Sequence, residues 1–177
     1  VPKIINSITG LGVAFQSSYF VKKIIIYTYR LSLKSSRIVN IFQNKENMNE
    51  FILNKISKQN NSKLILSSGV DISRFKHIKS KKNINNMQFL FLSRMLFDKG
   101  INELRMAINT LSTRTNNFSL ILAGDIDTGN PKSVTSSWMI ESFKIDSCKW
   151  VGYQEDIVSL LEKADVVILP SYHEGLP

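Results

Sequence analysis

The sequence predicts an α/β protein built on parallel sheets and divided into two units. Three observations carry this. Strand-length apolar segments alternate with segments of helical periodicity along the whole chain. In the second half those strand segments, such as FLFL (89–92) and LILA (120–123), are almost continuously apolar, as expected of strands covered on both faces. The charge is also split: residues 1–82 carry 15 Lys or Arg against 3 Asp or Glu, a balance of +12, whereas residues 83–177 carry 8 against 11, a balance of −3. A shift this sharp marks two units with different partners.

In the first unit, KIINSI (3–8) reads as a strand followed by the loop TGLG. Residues 18–34 read as a helix, because Phe20, Ile24, Tyr27 and Leu31 recur at steps of four, three and four and so share one face. Lys23, Arg30 and Lys34 lie on a second face, with Lys22 beside them. The apolar face is expected to pack on the sheet and leave the cations outward. RIVNIFQ (37–43) is a strand, KENMNEFILNKIS (45–57) a helix and KLILS (63–67) a strand. The stretch that follows is polar, basic and without periodicity, so residues 71–87 read as a linker.

The second unit repeats the alternation more cleanly. MQFLFLSR (87–94) is a strand. DKGINELRMAINTL (98–111) is a helix with Ile101, Leu104, Ile108 and Leu111 on one face and Asp98 as its expected N-cap. FSLILAG (118–124) is a strand ending at a glycine turn, PKSVTSSWMIESFK (131–144) a weaker helix, and CKWVG (148–152) a short strand. QEDIVSLLEKA (154–164) is a helix and DVVILP (165–170) a strand. Sheets of this kind bind ligands beyond the C-terminal ends of their strands.

Composition removes several classes of function. The chain of 177 residues is 43% hydrophobic and 21% charged, enough to bury a core. A single cysteine, Cys148, excludes an internal disulfide framework. No apolar run approaches the roughly 20 residues that span a bilayer. Two histidines and one cysteine offer no metal site, and neither an arginine-rich recognition helix nor zinc spacing points to nucleic acid. An anionic membrane surface or a phosphorylated substrate remains for the basic half.

The candidate chemistry gathers at strand ends. Arg94 closes the first strand of the second unit, and Lys99 and Gly100 follow at the start of the next helix. Two cations beside a helix N-terminus suit a diphosphate, and a glycine there admits an anion close to the backbone. On spacing alone the same two residues read first as solvated loop charges. Glu174 follows the last strand and could accept hydrogen bonds from sugar hydroxyls, with the Gly175 and Leu176 N–H groups beside it for an anion. On its own it reads equally as an exposed loop acid, and His173 as a loop histidine.

The segments SSGVDISRF, FLSRMLFDKGINEL, LILAGDID and VGYQEDIVSLLEKADVVILPSYHEGLP together resemble the retaining nucleotide-sugar glycosyltransferases of the GT-B fold, family 4, of the kind that build bacterial cell-surface glycans. The resemblance implies two Rossmann-like parallel-sheet domains, both incomplete in this chain. Residues 1–70 would be the C-terminal part of the acceptor-binding domain, 71–87 a linker, and 88–177 the nucleotide-sugar-binding domain, truncated at its C-terminal side. It assigns Arg94 and Lys99 to the donor diphosphate and Glu174 to the donor sugar, the three residues expected to matter most for catalysis. Gly100, Gly124, Val151, Gly152, Tyr153, Gly175 and Leu176 would complete the donor site, with the turn at 151–153 holding the nucleobase. The family's second glutamate would fall eight residues after Glu174, past Pro177, so the chain reads as a fragment. VPKIINSITGLGVAF is similar to the version in enzymes that extend lipid-linked glycans, which places Thr9, Gly10 and Gly12 on the acceptor side; many relatives carry histidine at the position of Thr9.

The implied function is transfer of a sugar from a nucleotide sugar to a glycan or polyprenyl-diphosphate-linked acceptor, with retention, in surface polysaccharide synthesis. No cofactor or metal is implied, since the nucleotide sugar is a substrate. The implied location is the cytoplasmic face of the cell membrane, held peripherally by anionic lipid. Two alternatives stand beside this: an inactive truncated remnant with residual nucleotide binding, and a sugar-nucleotide epimerase of the same architecture. The DKG loop and the EGLP ending argue against the epimerase.

Overall fold

The computed structural model describes residues 4–15, 18–33, 35–66, 69–75, 86–172 and 174. The chain divides into two compact units, Val1–Val70 with Glu174–Pro177, and Asp71–His173. Of the stretch read as a linker, residues 76–85 lie outside the described residues, as do Lys34, His173, Gly175 and Leu176.

The first unit is a three-stranded parallel sheet, ordered β1 (Ile4–Ile8), β2 (Ile38–Phe42), β3 (Ser62–Leu64). Helices α1 (Gly12–Phe15), α2 (Tyr19–Ser32) and α3 (Lys45–Leu53) complete it. The central strand β2 is paired on both sides and buries Ile38, Asn40 and Phe42. The core is aromatic. Phe51 of α3 meets Phe42 edge-on at 5.1 Å between ring centroids and stacks on Phe15 at 5.9 Å, with Ile26 and Ile56 filling the remainder. Asn40 is buried but satisfied: its Oδ1 accepts from Asn6 Nδ2 (3.2 Å) and its Nδ2 donates to Ser57 Oγ (3.0 Å), which in turn pairs with Ser62 Oγ (2.8 Å). This pairing spares Asn40 the desolvation penalty of an unpaired buried group.

One expectation from the sequence is reversed in this unit. The face of α2 formed by Phe20, Ile24, Tyr27 and Leu31 points outward, with exposures of 72, 50, 62 and 58%. The opposite face, with buried Ile26 and part-buried Ile25 and Leu33, packs inward. The helix is apolar on both sides, so periodicity alone could not choose between them. The aromatic cluster decides: Tyr29 sits 6.1 Å from Phe15 and 5.6 Å from Phe51, which rotates the other stripe away. Two of the expected outward cations turn toward α3. Lys22 Nζ pairs with Glu50 Oε1 at 2.7 Å, and Arg30 Nε donates to the Asn54 carbonyl at 2.7 Å. Lys23 lies over the Tyr19 ring, 4.4 Å from its centroid.

The second unit contains β4 (Met87–Leu92), α4 (Ile101–Ser112), β5 (Phe118–Ala123), α5 (Ser136–Ser142), β6 (Cys148–Gly152), α6 (Ile157–Lys163) and β7 (Val166–Ile168). All strands are parallel, in the order β6-β5-β4-β7. Sequence-successive strands step outward from β4 to β6, and the chain then returns to place β7 on the other side of β4. The strand order therefore reverses between β4 and β7, the position where open parallel sheets form a ligand crevice. Phe91, Leu120 and Leu122 are fully buried at the sheet, and Ile101, Leu104 and Ile108 of α4 cover it, as the periodicity predicts.

Helix α3 ends at Leu53 and not at 57, α6 begins at Ile157 and not at 154, and two further boundaries differ from the sequence expectation for reasons that bear on the site. Asp98 is not the cap of α4: it lies within a 3₁₀ turn at Phe97–Lys99, and Gly100 is the N-cap, at φ 72° and ψ 24°. The segment read as a helix from 131 begins only at Ser136, because Thr135 caps it by accepting from Trp138 N and the preceding residues are engaged elsewhere. Asp156 caps α6 in the same way, accepting from Ser159 N at 3.1 Å. Among the described residues no helix is long and apolar enough to cross a membrane.

Candidate active site

The loop after β4 begins with Arg94, whose side chain is 61% exposed, followed by Met95 and Leu96, which are almost completely buried. That sequence of one outward cation and two inward apolar residues anchors the loop while leaving the guanidinium at the surface. The 3₁₀ turn then brings Lys99 and Gly100 to the start of α4, with Lys99 N bonded to the Leu96 carbonyl (3.0 Å) and Gly100 N to the Phe97 carbonyl (2.9 Å). Arg94, Lys99 and Gly100 are thus joined in one loop beyond the C-terminal end of β4. Lys99 sits one residue before the N-cap rather than in the first turn of the helix, and Gly100 provides no capping side chain.

Gly100 is required by two constraints at once. Its φ of 72° is left-handed, and a Cβ there would run into the carbonyl of Pro170, just after β7. The loops of the two switch-point strands are in close contact at this point. Ser171 Oγ and Tyr172 N both donate to the Asp98 carbonyl (3.3 and 3.1 Å), and Tyr172 Oη donates to Glu103 Oε1 at 2.6 Å. That bond holds the Glu103 carboxyl below the ordinary carboxylate range and pushes the Tyr172 phenol up.

The loop after β5 lies alongside. Gly124 has φ 135°, and a Cβ would strike the Ser93 carbonyl, so β4 and β5 leave the sheet in direct backbone contact. Met95 N donates to the Asp125 carbonyl (2.9 Å), Phe97 N to the Lys132 carbonyl (2.9 Å) and Val134 N to the Met95 carbonyl (3.0 Å), with a bridge between Leu96 and Ser133. Two ion pairs cross the same seam: Arg94 Nη1 to Asp127 Oδ2 at 2.7 Å, and Lys132 Nζ to Asp98 Oδ1 at 3.0 Å. Sequence reasoning missed both. No local pattern signals them: they follow from the parallel register, which sets Leu92 opposite Ala123 and so makes the residues after each strand neighbours.

The segment Val151–Tyr153 is tied to the same edge. Gly124 N donates to the Gly152 carbonyl (2.7 Å), Tyr153 N to Asp125 Oδ1 (2.9 Å), Trp150 Nε1 to the Gly124 carbonyl (2.9 Å) and Gln154 Nε2 to the Val151 carbonyl (2.7 Å). The structure therefore brings together Arg94, Lys99, Gly100, Gly124, Val151, Gly152 and Tyr153 at one end of one sheet. Glu174 is part-buried and groups with the first unit. Thr9 and Gly10 are exposed beyond the C-terminal end of β1, and Gly12 opens α1. Burial pushes the Cys148 thiol up, away from a thiolate nucleophile. Among the described residues no group of three His, Cys, Asp or Glu could hold a metal ion.

Comparison with known proteins agrees with this architecture. Residues 72–177 match the family described as glycosyl transferases group 1, and the chain belongs to that family. Over its whole length the chain is 29% identical to the N,N'-diacetylbacillosaminyl-diphospho-undecaprenol alpha-1,3-N-acetylgalactosaminyltransferase of Campylobacter jejuni, and it spans 48% of that protein. Among solved structures it resembles HepE of Anabaena in complex with UDP, with a TM-score of 0.72 at 19% identity, over 97% of this chain and 47% of that one. WaaG, a glycosyltransferase involved in lipopolysaccharide biosynthesis, gives a TM-score of 0.71 at 12% identity, over 98% of this chain and 53% of that one. These likenesses are of fold: both units carry the parallel sheets of GT-B glycosyltransferases.

Proposed function

From membership in the glycosyl transferases group 1 we propose that the protein transfers a sugar from a nucleotide-sugar donor to a glycan or lipid-linked acceptor, with retention of configuration. The observation that carries this reading is the loop at the β4/β7 switch point, where Arg94 and Lys99 precede Gly100 and the start of α4. The donor diphosphate would lie against these two cations and the first N–H groups of the helix, and Val151–Tyr153 would face the base. Glu174 would hold the donor sugar, with the Gly175 and Leu176 N–H groups beside it for an anion, and Thr9, Gly10 and Gly12 would face the acceptor. As the bond from the anomeric carbon to the diphosphate oxygen breaks, negative charge grows on the leaving group, and the two cations stabilise it there. The acceptor oxygen bonds to that carbon on the same face and gives its proton to the departing diphosphate oxygen, so no side-chain nucleophile is needed. The diphospho-undecaprenol in the name of the Campylobacter jejuni relative supports a lipid-linked acceptor, and the proposed role is in surface polysaccharide synthesis.

A lipid-linked acceptor would be met at the bilayer. The outward stripe of Phe20, Ile24, Tyr27 and Leu31, with Lys23 beside it, supports peripheral docking of α2 on anionic lipid at the inner face of the membrane. The test of the catalytic reading is sugar transfer by the full-length protein. Arg94→Ala and Lys99→Ala are each expected to cut turnover at least about tenfold with the fold intact. Normal activity in both variants would show that these residues are surface charges and that the donor lies elsewhere.

A further inference from the structure

We propose that Asp127 is an internal counter-anion for Arg94, which competes with the donor's diphosphate and keeps the departing nucleoside diphosphate loosely held; this rests on the reading of Arg94 as a diphosphate-binding residue. The pair is made at 2.7 Å between Arg94 Nη1 and Asp127 Oδ2, across 33 residues of sequence. A carboxylate and a diphosphate are both oxyanions drawn to the same guanidinium, so the N–H that Asp127 holds and the positive charge it offsets are withdrawn from the diphosphate, although the guanidinium has five N–H groups in all.

Asp127 is placed for this by its own loop. Its backbone N donates to Ser133 Oγ (3.0 Å), and its carbonyl accepts from Asn130 N (2.9 Å), so the residue sits in a closed turn. Arg94, by contrast, is 61% exposed on a side chain that can swing. Opening the pair does not release the loop. Lys132 still binds Asp98, and the backbone bonds from Phe97 to Lys132 and from Val134 to Met95 remain. Exchange of the carboxylate for a diphosphate therefore costs one ion pair and no refolding. In the free site the carboxylate also partly neutralises the cation, which lowers its pull on any anion.

Because the pair is exposed, the expected effect is modest, about two- to fivefold in affinity. The experiment is titration calorimetry on the full-length protein with inorganic pyrophosphate and, in parallel, UDP. Asp127→Asn keeps the shape and removes the charge. It is expected to bind both probes about two- to fivefold more tightly and to slow product release, with Asp127→Glu restoring parental behaviour. In an Arg94→Ala background the gain from Asp127→Asn should vanish. Weaker or unchanged binding by Asp127→Asn, while Arg94→Ala alone weakens binding, would overturn the counter-anion role and leave the diphosphate reading standing. If Arg94→Ala itself binds both probes as the parent does, the diphosphate reading falls and this inference falls with it.

Discussion

The two units treat their apolar residues differently. The second buries Phe91, Leu120, Leu122 and the inner face of α4 around the base of the loop that carries Arg94. The first has a smaller, largely aromatic core and leaves Phe20, Ile24, Tyr27 and Leu31 facing outward. The difference teaches that helical periodicity identifies a face without saying what it packs on. In α4 the apolar stripe has a polar reverse, so it can only turn inward. In α2 both sides are apolar, and the ring contacts of Tyr29 choose.

The largest contrast is expected at glycines. Gly100→Ala in the second unit must hold a left-handed φ and displace the Pro170 carbonyl, which should destabilise by about 2–4 kcal/mol in denaturant unfolding. Gly10→Ala in the first unit meets nothing within 4 Å and should change stability by less than about 0.5 kcal/mol. Equal effects would mean that the loop after β4 yields freely and does not hold Arg94 and Lys99 in place.

The two faces of α2 give the next contrast. Ile26→Ala should cost about 2–3 kcal/mol, since the side chain is buried in the aromatic core. Ile24→Ala, on the outward face, should cost less than about 0.5 kcal/mol. The reverse order would show that the helix is rotated from the position described.

A smaller effect separates the charges of the same helix. Lys23→Gln should weaken cosedimentation with anionic vesicles by about 1 kcal/mol, and added salt should reduce parental binding. Lys22→Gln should weaken it less, because Lys22 is engaged with Glu50. Binding that is equal on neutral and anionic vesicles, or absent on both, would remove the docking proposal.

The smallest effect concerns the Tyr172–Glu103 bond in the second unit. Glu103 is held low, so its contribution is present above the unfolded carboxylate value, about 4.3, and lost as pH falls through the lower folded value. Tyr172 is pushed up, so its contribution is present below the unfolded phenol value, about 10, and lost as pH rises through the higher folded value. Tyr172→Phe should let the Glu103 carboxyl titrate at a higher pH by NMR, and its stability deficit should be flat between those limits. A Glu103 titration unmoved by the substitution would contradict the bond.

The sequence by itself determined the alternation of strands and helices, the parallel sheets and the position of Arg94, Lys99 and Gly100 after a strand. These follow from local periodicity, near-continuous apolar runs and residues a few places apart. It also placed Val151, Gly152 and Tyr153 at the end of β6, because a strand end is readable from its own neighbours. Tertiary structure alone decided which side of α2 faces the core, that Gly100 and not Asp98 caps α4, and that Asp127 and Lys132 cross to Arg94 and Asp98. It likewise decided the bond from Tyr172 to Glu103, 69 residues away. The two ion pairs and the Tyr172–Glu103 bond depend on which strands lie side by side, since the order β6-β5-β4-β7 makes neighbours of loops that are distant in the chain. No local pattern encodes that adjacency: it arises when the strands pair and bury their shared core.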